Sequence, residues 1–242
     1  MNLKEVLEFR RSVRVYDAAQ PIDAEKIKEC LELATLAPNS SNMQLWEFYH
    51  VTDPLKLKEL GVACLGQSAA TTAPQMVVFV TRQGLYKSRS QQVLEFEREN
   101  IRRHSPADRQ EKRIKDQEIY YQKVMPLLYV RFFGILGFLR KLLVSTIQLF
   151  RPMVLSVTEN DTRIVVHKSC ALAAQTFMIA LANIGYDSCP MEGFDSRRVK
   201  KSLRLPADAE VNMIISVGIR KGTVGIRGDR FRVPFEQVYR SV

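Results

Sequence analysis

The sequence is short of the residues on which most side-chain catalysis relies. Only three histidines, His50, His104 and His167, are scattered through 242 residues, so a histidine-based metal site or triad is a poor expectation and each reads as structural or exposed. The four cysteines, Cys30, Cys64, Cys170 and Cys189, include no C-x-x-C pair, which sets aside a zinc or dithiol site. They read as reduced, buried thiols. Cys189, beside Pro190, could be a nucleophile, but a structural thiol is the plainer reading. There is no G-x-G-x-x-G, Walker loop, H-E-x-x-H or G-x-S-x-G. Uninterrupted apolar runs stay near ten residues, well below the roughly 20 that span a bilayer. The N-terminal stretch carries Lys4, Glu5, Glu8, Arg10, Arg11 and Arg14 where a signal peptide would be apolar, so a cytoplasmic location is expected. If this chain is an enzyme, a cofactor supplies the chemistry and the protein binds and tunes it.

What is abundant is ordinary core material and positive charge. The hydrophobic content of 46% can fill a core without metals or disulfides, and the length fits one domain, 1–242, with an insertion. A net charge of +10 and a pI near 9.6 suit a phosphorylated ligand, nucleic acid or an anionic membrane surface, without choosing among them.

Periodicity predicts a helix over Leu3–Arg11 and a second after Pro21, capped by Asp23 and ending before Pro38. Strands are expected at Trp46–Val51, Met76–Val80 and Val211–Val217, with a short helix from Pro54 to Leu65. The best helix prediction is His167–Gly185, with Gly185 as a left-handed cap. Glu95–Lys123 reads as mixed-charge solvated helix, and Val124–Phe150 is apolar. The tail from Lys221 has too few apolar residues to fold alone and is expected to lie across another surface.

Two arginine clusters stand at opposite ends of the chain: Arg10-Arg11-Ser12-Val13-Arg14 and Arg230-Phe231-Arg232. Guanidinium groups grip phosphate in a two-pronged fork, and a hydroxyl adds a donor. Cys189-Pro190-Met191-Glu192-Gly193-Phe194-Asp195 follows the long helix as a rigid turn whose backbone N–H groups could face a flat ligand. Ordinary surface charge and an ordinary turn are the plain alternatives.

Taken in order, Arg10–Arg14, the Ala-Pro-Asn-Ser-Ser-Asn-x-Gln-x-Trp segment Ala37–Trp46, the Pro-Met-Glu-Gly-Phe turn Pro190–Phe194, and the late Arg-x-Arg resemble the FMN-dependent nitroreductase family. The resemblance covers Met1 to about Arg82 and His167 to Val242. It implies an α+β three-layer sandwich, with a mostly antiparallel sheet flanked by helices, in an intertwined homodimer with FMN at the interface. It puts Arg10, Ser12, Arg230 and Arg232 at the FMN phosphate, counts Arg11 among the cofactor-binding residues, and places Arg14 near the pyrimidine edge. Pro38, Asn39, Ser40, Asn42 and Gln44 would reach the flavin from the other subunit. Pro190, Met191, Glu192 and Gly193 would lie along the ring, with backbone N–H groups near N5. Arg14 and Glu192 are then tuning groups, with no catalytic side chain and no metal. Many relatives carry a polar or basic ring-contacting residue before the Met76–Val80 strand; here Gln67 or Ser68 is the candidate. The implied reaction passes hydride from NADH or NADPH through N5 to a small acceptor, nitroaromatic, quinone or similar, by a ping-pong mechanism. Dehalogenation or flavin degradation on the same fold, or a non-enzymatic basic surface-binding protein, are the alternatives. No nucleic-acid-binding pattern is present.

Residues 84–152 have no counterpart in that resemblance. They read as a helical insertion, either a lid over the flavin or a membrane-surface element with Arg131, Arg140 and Lys141 directed toward anionic headgroups.

Overall fold

The computed structural model describes residues 2–242. Four strands, β1 (Trp46–Val51), β2 (Gln75–Thr81), β3 (Asp187–Met191) and β4 (Glu210–Gly218), form one sheet in the order β1-β2-β4-β3, every pair antiparallel. β2 lies second from one edge and is buried at every position, as an unbroken apolar run in a sheet covered on both faces requires.

The pleat sorts its residues into two cores. Met76, Val78 and Val80 join Ile214, Cys189 and Met191 beneath α3 (Pro54–Ala63), α4 (Ser68–Thr71) and α10 (Ser196–Ser202). Val77 and Phe79 join Ile215 and Val217 beneath α2 (Ala24–Ala34) and α9 (Glu159–Asn183). The result is an α+β sandwich of helix, sheet and helix layers, as expected.

Several boundaries differ from the periodicity. The first helix, α1 (Leu3–Phe9), stops two residues early, with Arg10 at its C-cap, and α3 ends at Ala63 where Leu65 was predicted. α9 begins eight residues before His167, because Thr158 and Asp161 form a reciprocal capping box. Gly185 follows it at φ +80°, the left-handed position predicted. The most consequential difference is β3. The segment predicted as turn from Cys189 is strand through Met191, and Pro190 is tolerated there because β3 is an edge strand. Beside β3, Ser12 makes a parallel bridge to Ser188.

Within residues 84–152, α5 (Tyr86–His104) and α6 (Ala107–Ile119) form a hairpin broken at Ser105-Pro106 and clasped by Arg98 to Glu118. A π-helical turn, Tyr120–Val124, leads into α7 (Met125–Tyr129), and α8 (Ile135–Gln148) follows. Tyr121, Met125 and Tyr129 pack with Val93 and Leu94 against Met43, Leu45 and Val166, fastening the insertion to the body.

The membrane-surface alternative directs Arg131, Arg140 and Lys141 outward; Arg140 and Lys141 instead turn to backbone carbonyls within the fold, while Arg131 stays partly exposed. Arg131 donates to Glu210 (3.1 Å) and Gln83. Arg140 is buried, donating to the carbonyls of Leu127 (2.5 Å) and Leu128. Lys141 donates to Leu155 O (3.0 Å). Unsatisfied backbone carbonyls and a carboxylate inside the fold outbid solvent for these donors.

Candidate functional site

The two arginine clusters, some 220 residues apart in sequence, meet in space. Arg230 donates to Leu7 O (2.9 Å), Glu8 O (3.0 Å) and Arg10 O, gathering the carbonyls that the end of α1 leaves without partners. Arg11 donates to Gly228 O (2.7 Å), and the Arg14 N–H to Gly225 O (2.8 Å). Burial first, then the charge of Arg232, hold the Arg10 guanidinium below its ordinary pKa. Burial, then Arg232, Arg10 and Arg11, do the same for Arg230. Among the described residues no carboxylate forms an ion pair with Arg10, Arg11, Arg14, Arg230 or Arg232. Glu8 offsets part of this at Arg230; converging like charges with no paired carboxylate still disfavour one another, and an anion between them lowers that penalty.

The structure divides these arginines by role. Arg230 commits three N–H groups to carbonyls and acts chiefly as a clasp between the chain ends. Arg232 is exposed and bonds only the carbonyl of Phe231 (2.7 Å). Ser12 is exposed between Arg11 and the buried Val13.

A residue pair that sequence reasoning missed supports this group. Asp187, almost fully buried, accepts from Arg220 N (2.8 Å), Nε (2.9 Å) and Nη2. Arg220 also donates to Phe9 O (3.0 Å) and lies over the Phe9 ring at 4.5 Å. The pair pins the end of α1 to the β3–β4 edge. No local signal joins residues 33 positions apart; only the pairing of β3 with β4 does.

The Pro190–Asp195 segment leaves β3 directly beside the arginines. Arg14 and Arg10 favour the Cys189 thiolate, but burial dominates and pushes its pKa up, in keeping with a thiol packed in the core. Glu192 and Gly193 are exposed. Gln67 donates to Gly193 O (2.7 Å), and Asp195 N to Ala63 O (2.8 Å), so the turn rests on the α3–α4 junction with Gln67 as its brace.

The Pro38–Gln44 loop lies elsewhere. Ala37 and Trp46 belong to the core under α2 and α9, whereas Val13, Cys189 and Met191 belong to the core on the opposite face of the sheet. Within one chain the structure therefore brings Arg10, Arg11, Ser12, Arg14, Arg230, Arg232, Gln67 and the 190–193 turn together. It does not bring Pro38, Asn39, Ser40, Asn42 or Gln44 to them. The loop is held in an unusual shape, with Ser41, Asn42 and Gln44 at φ +54°, +52° and +47°. Asn39 Oδ1 accepts from Gln44 N (2.8 Å), Ser40 N donates to Ser169 (3.3 Å), and Tyr121 OH donates to Ser41 O (3.1 Å). Left-handed non-glycine residues persist only where surrounding contacts dictate them, and they gather at ligand sites.

His167 lies in a separate polar knot on the second core's side. Glu210 accepts from Arg131 (3.1 Å), Arg163 (2.5 Å) and the His167 ring (3.2 Å), while Asn212 donates to His167 O (3.1 Å). His167, then the arginines, lower the Glu210 carboxyl from 4.5 to about 2 against an opposing effect of burial. His50 bonds Gln75 at 2.6 Å. Both contacts are structural.

Comparison with known proteins supplies an independent line. The sequence model of the nitroreductase family matches residues 7–219, taking in 84–152 and stopping before the tail. Protein DrgA of Synechocystis is 25% identical over 220 residues, covering 91% of this chain and 85% of its own. MhqN of Bacillus subtilis, provisionally named an NAD(P)H nitroreductase, is 24% identical, with 94% and 93% covered. Among solved structures, a protein from Exiguobacterium sibiricum in complex with FMN superimposes with a TM-score of 0.69 at 18% identity, covering 100% of this chain and 98% of that one.

Proposed function

The chain belongs to the nitroreductase family, and from that premise we propose that it is an FMN-dependent NAD(P)H oxidoreductase working as a homodimer. The observation that carries the reading is the meeting of five arginines without carboxylate partners beside an exposed turn. That donor set fits a phosphate monoester: Arg10, Ser12 and Arg232 would hold it, with Arg230 fixing the frame and Arg11 adding charge. Each charge-assisted hydrogen bond contributes about 1.5–3 kcal/mol. Bound FMN would supply hydride transfer at N5, from NADH or NADPH to a nitroaromatic, quinone or similar small acceptor in two alternating half-reactions.

This chain's own residues would orient and tune. Arg14, anchored by its backbone to Gly225, would place positive charge at the pyrimidine edge, where reduced flavin is anionic. The backbone N–H groups of Glu192 and Gly193 would face N5, with Gln67 holding the Gly193 carbonyl in place. No side chain is asked to act as general acid.

The separation of the Pro38–Gln44 loop from the arginines is the argument for a dimer. If that loop contacts the flavin, the partner subunit supplies it. We read residues 1–242 as one domain in which 84–152 roofs the loop, since Tyr120 and Tyr121 both bond Ser41. The test is direct. The purified protein should be yellow with an oxidised-flavin spectrum, bleach with NADH or NADPH, and run at twice its chain mass. A colourless protein that takes up no added FMN would sink the reading.

A further inference from the structure

α8 is an amphipathic helix turned inside out. Its only two charged residues, Arg140 and Lys141, point into the protein and bond backbone carbonyls. Gly137 lets the helix approach the start of α9 closely: a Cβ there would stand 2.6 Å from Glu159 N. Glu159 in turn accepts from Phe132 N (2.9 Å) and Gly134 N (3.0 Å). The helix is thus fixed by polar contacts on its inner side and cannot roll to bury its outer one.

That outer side is mostly apolar, with Thr146 and, at its edge, Ser145 as exposed polar breaks. Ile135, Phe138, Leu139, Leu142 and Leu143 recur at i+3 and i+4 and are all exposed, and Phe133 and Phe150, at 94% and 85% exposure, extend the stripe past both ends. With Phe132 and Leu149 this is on the order of 1,000 Å² of apolar surface, beyond the few hundred typical of a monomer's largest patch. Protein partners present hydrogen-bonding groups every 100–200 Å² and are met by donors and acceptors. This face offers few: Thr146 already donates to Leu142 O (3.1 Å), which leaves the exposed Ser145 at its edge. A face so poor in polar groups, on a chain of net charge +10, complements hydrocarbon beneath anionic headgroups.

We propose that α8 and its flanking phenylalanines dock this protein on an anionic bilayer surface, with the helix lying in the interface. The headgroup attraction comes from the basic body and not from Arg131, Arg140 or Lys141, which are already bonded. This stands independently of the flavin reading.

The test is co-sedimentation of the full-length protein with vesicles of phosphatidylcholine alone or mixed with phosphatidylglycerol, at low and high salt. The wild type should pellet with the mixed vesicles, and high salt should weaken the interaction without abolishing it. The exposed double variant Phe138→Ser/Leu142→Ser should partition roughly a hundredfold less, about tenfold per side chain removed, with an unchanged absorption spectrum. Wild type left in the supernatant with both vesicles, or a variant that pellets equally, overturns the proposal. So does lipid-free sedimentation velocity in which only the wild type forms a larger species, since the face would then join copies of the chain. Loss of flavin from the wild type would count against the proposed activity and leave this result intact.

Discussion

Two groups of cations in this chain end in opposite situations. At the chain termini Arg10, Arg11, Arg14 and Arg232 meet without carboxylates, their charge unneutralised at the surface of the β3 edge. Within residues 84–152, Arg140 and Lys141 turn inward to carbonyls and Arg131, still partly exposed, pairs with Glu210, leaving phenylalanine and leucine on the outside. Composition treats the groups alike. What separates them is the nearest unsatisfied acceptor: α7 and the loops around α8 expose carbonyls that only buried donors can reach, whereas near the α1 end Arg230 has already taken them.

One acidic residue stands behind each group, Asp187 through Arg220 and the end of α1, Glu210 through Arg131 alone of the three, so removing these acids is the hardest test of the contrast. Asp187→Ala should have the largest effect. It strands Arg220 beside a buried edge strand, and breaking such a pair costs about 3–5 kcal/mol. Urea titration measures it, and flavin affinity should fall with stability because α1 and its arginines lose their pin. A loss below ~1 kcal/mol would mean that the terminal cluster is held otherwise.

The anchor of the insertion can be tested by acid. The folded pKa of Glu210 is depressed from 4.5 to about 2, so unfolded chains bind more protons in that window. Its contribution is complete above about pH 4.5 and is lost as pH falls toward 2. The full shift corresponds to about 3 kcal/mol. Denaturation profiles of wild type and Glu210→Gln should diverge near neutral pH and converge at the acid end. Parallel profiles throughout would detach Glu210 from the insertion's stability.

The outward cations make the opposite prediction, an effect on ligand and little on fold. Arg10→Ala should weaken FMN by roughly ten- to a hundredfold, the weight of one charge-assisted bond, and leave the apoprotein's stability nearly unchanged. Fluorescence titration with FMN reads the first effect, thermal unfolding of apoprotein the second. A variant that loses stability and keeps its affinity would make Arg10 a structural cap like Arg230.

How much of this was legible beforehand follows the same division. β1, β2, β4 and the C-terminal part of α9 are written in local periodicity, and the helix–sheet–helix layering follows from it. β3 is not, because Asp-Ser-Cys-Pro-Met has little strand character and becomes a strand only by pairing with β4. The residue types of the candidate site could be read in order along the chain. The Asp187–Arg220 pin, the Gln67 brace and the clasping role of Arg230 could not, since each depends on a contact between distant segments. The eight residues added before His167 had a local sign, the Thr158–Asp161 spacing. The inward turn of Arg140 had none, because a helical wheel gives relative faces and no core to orient them against.

The smallest effect bears most sharply on the second region. Phe133 is 94% exposed and held at φ +48°, a conformation costing a non-glycine residue roughly 1 kcal/mol or more. Its ring meets only the edge of the neighbouring, exposed Phe132 ring, 5.4 Å between centroids, a small return for a strained backbone. Phe133→Gly should relieve the strain, offset in part by the freer unfolded chain, for a net gain of about 0.5–1 kcal/mol in stability. The same substitution should reduce vesicle partitioning severalfold. A variant both steadier and less able to bind lipid would show that the strained phenylalanine is retained for a surface outside the protein. If stability falls instead, the side chain has a contact within the fold, and the contrast between outward charge and outward hydrocarbon loses its strongest single residue.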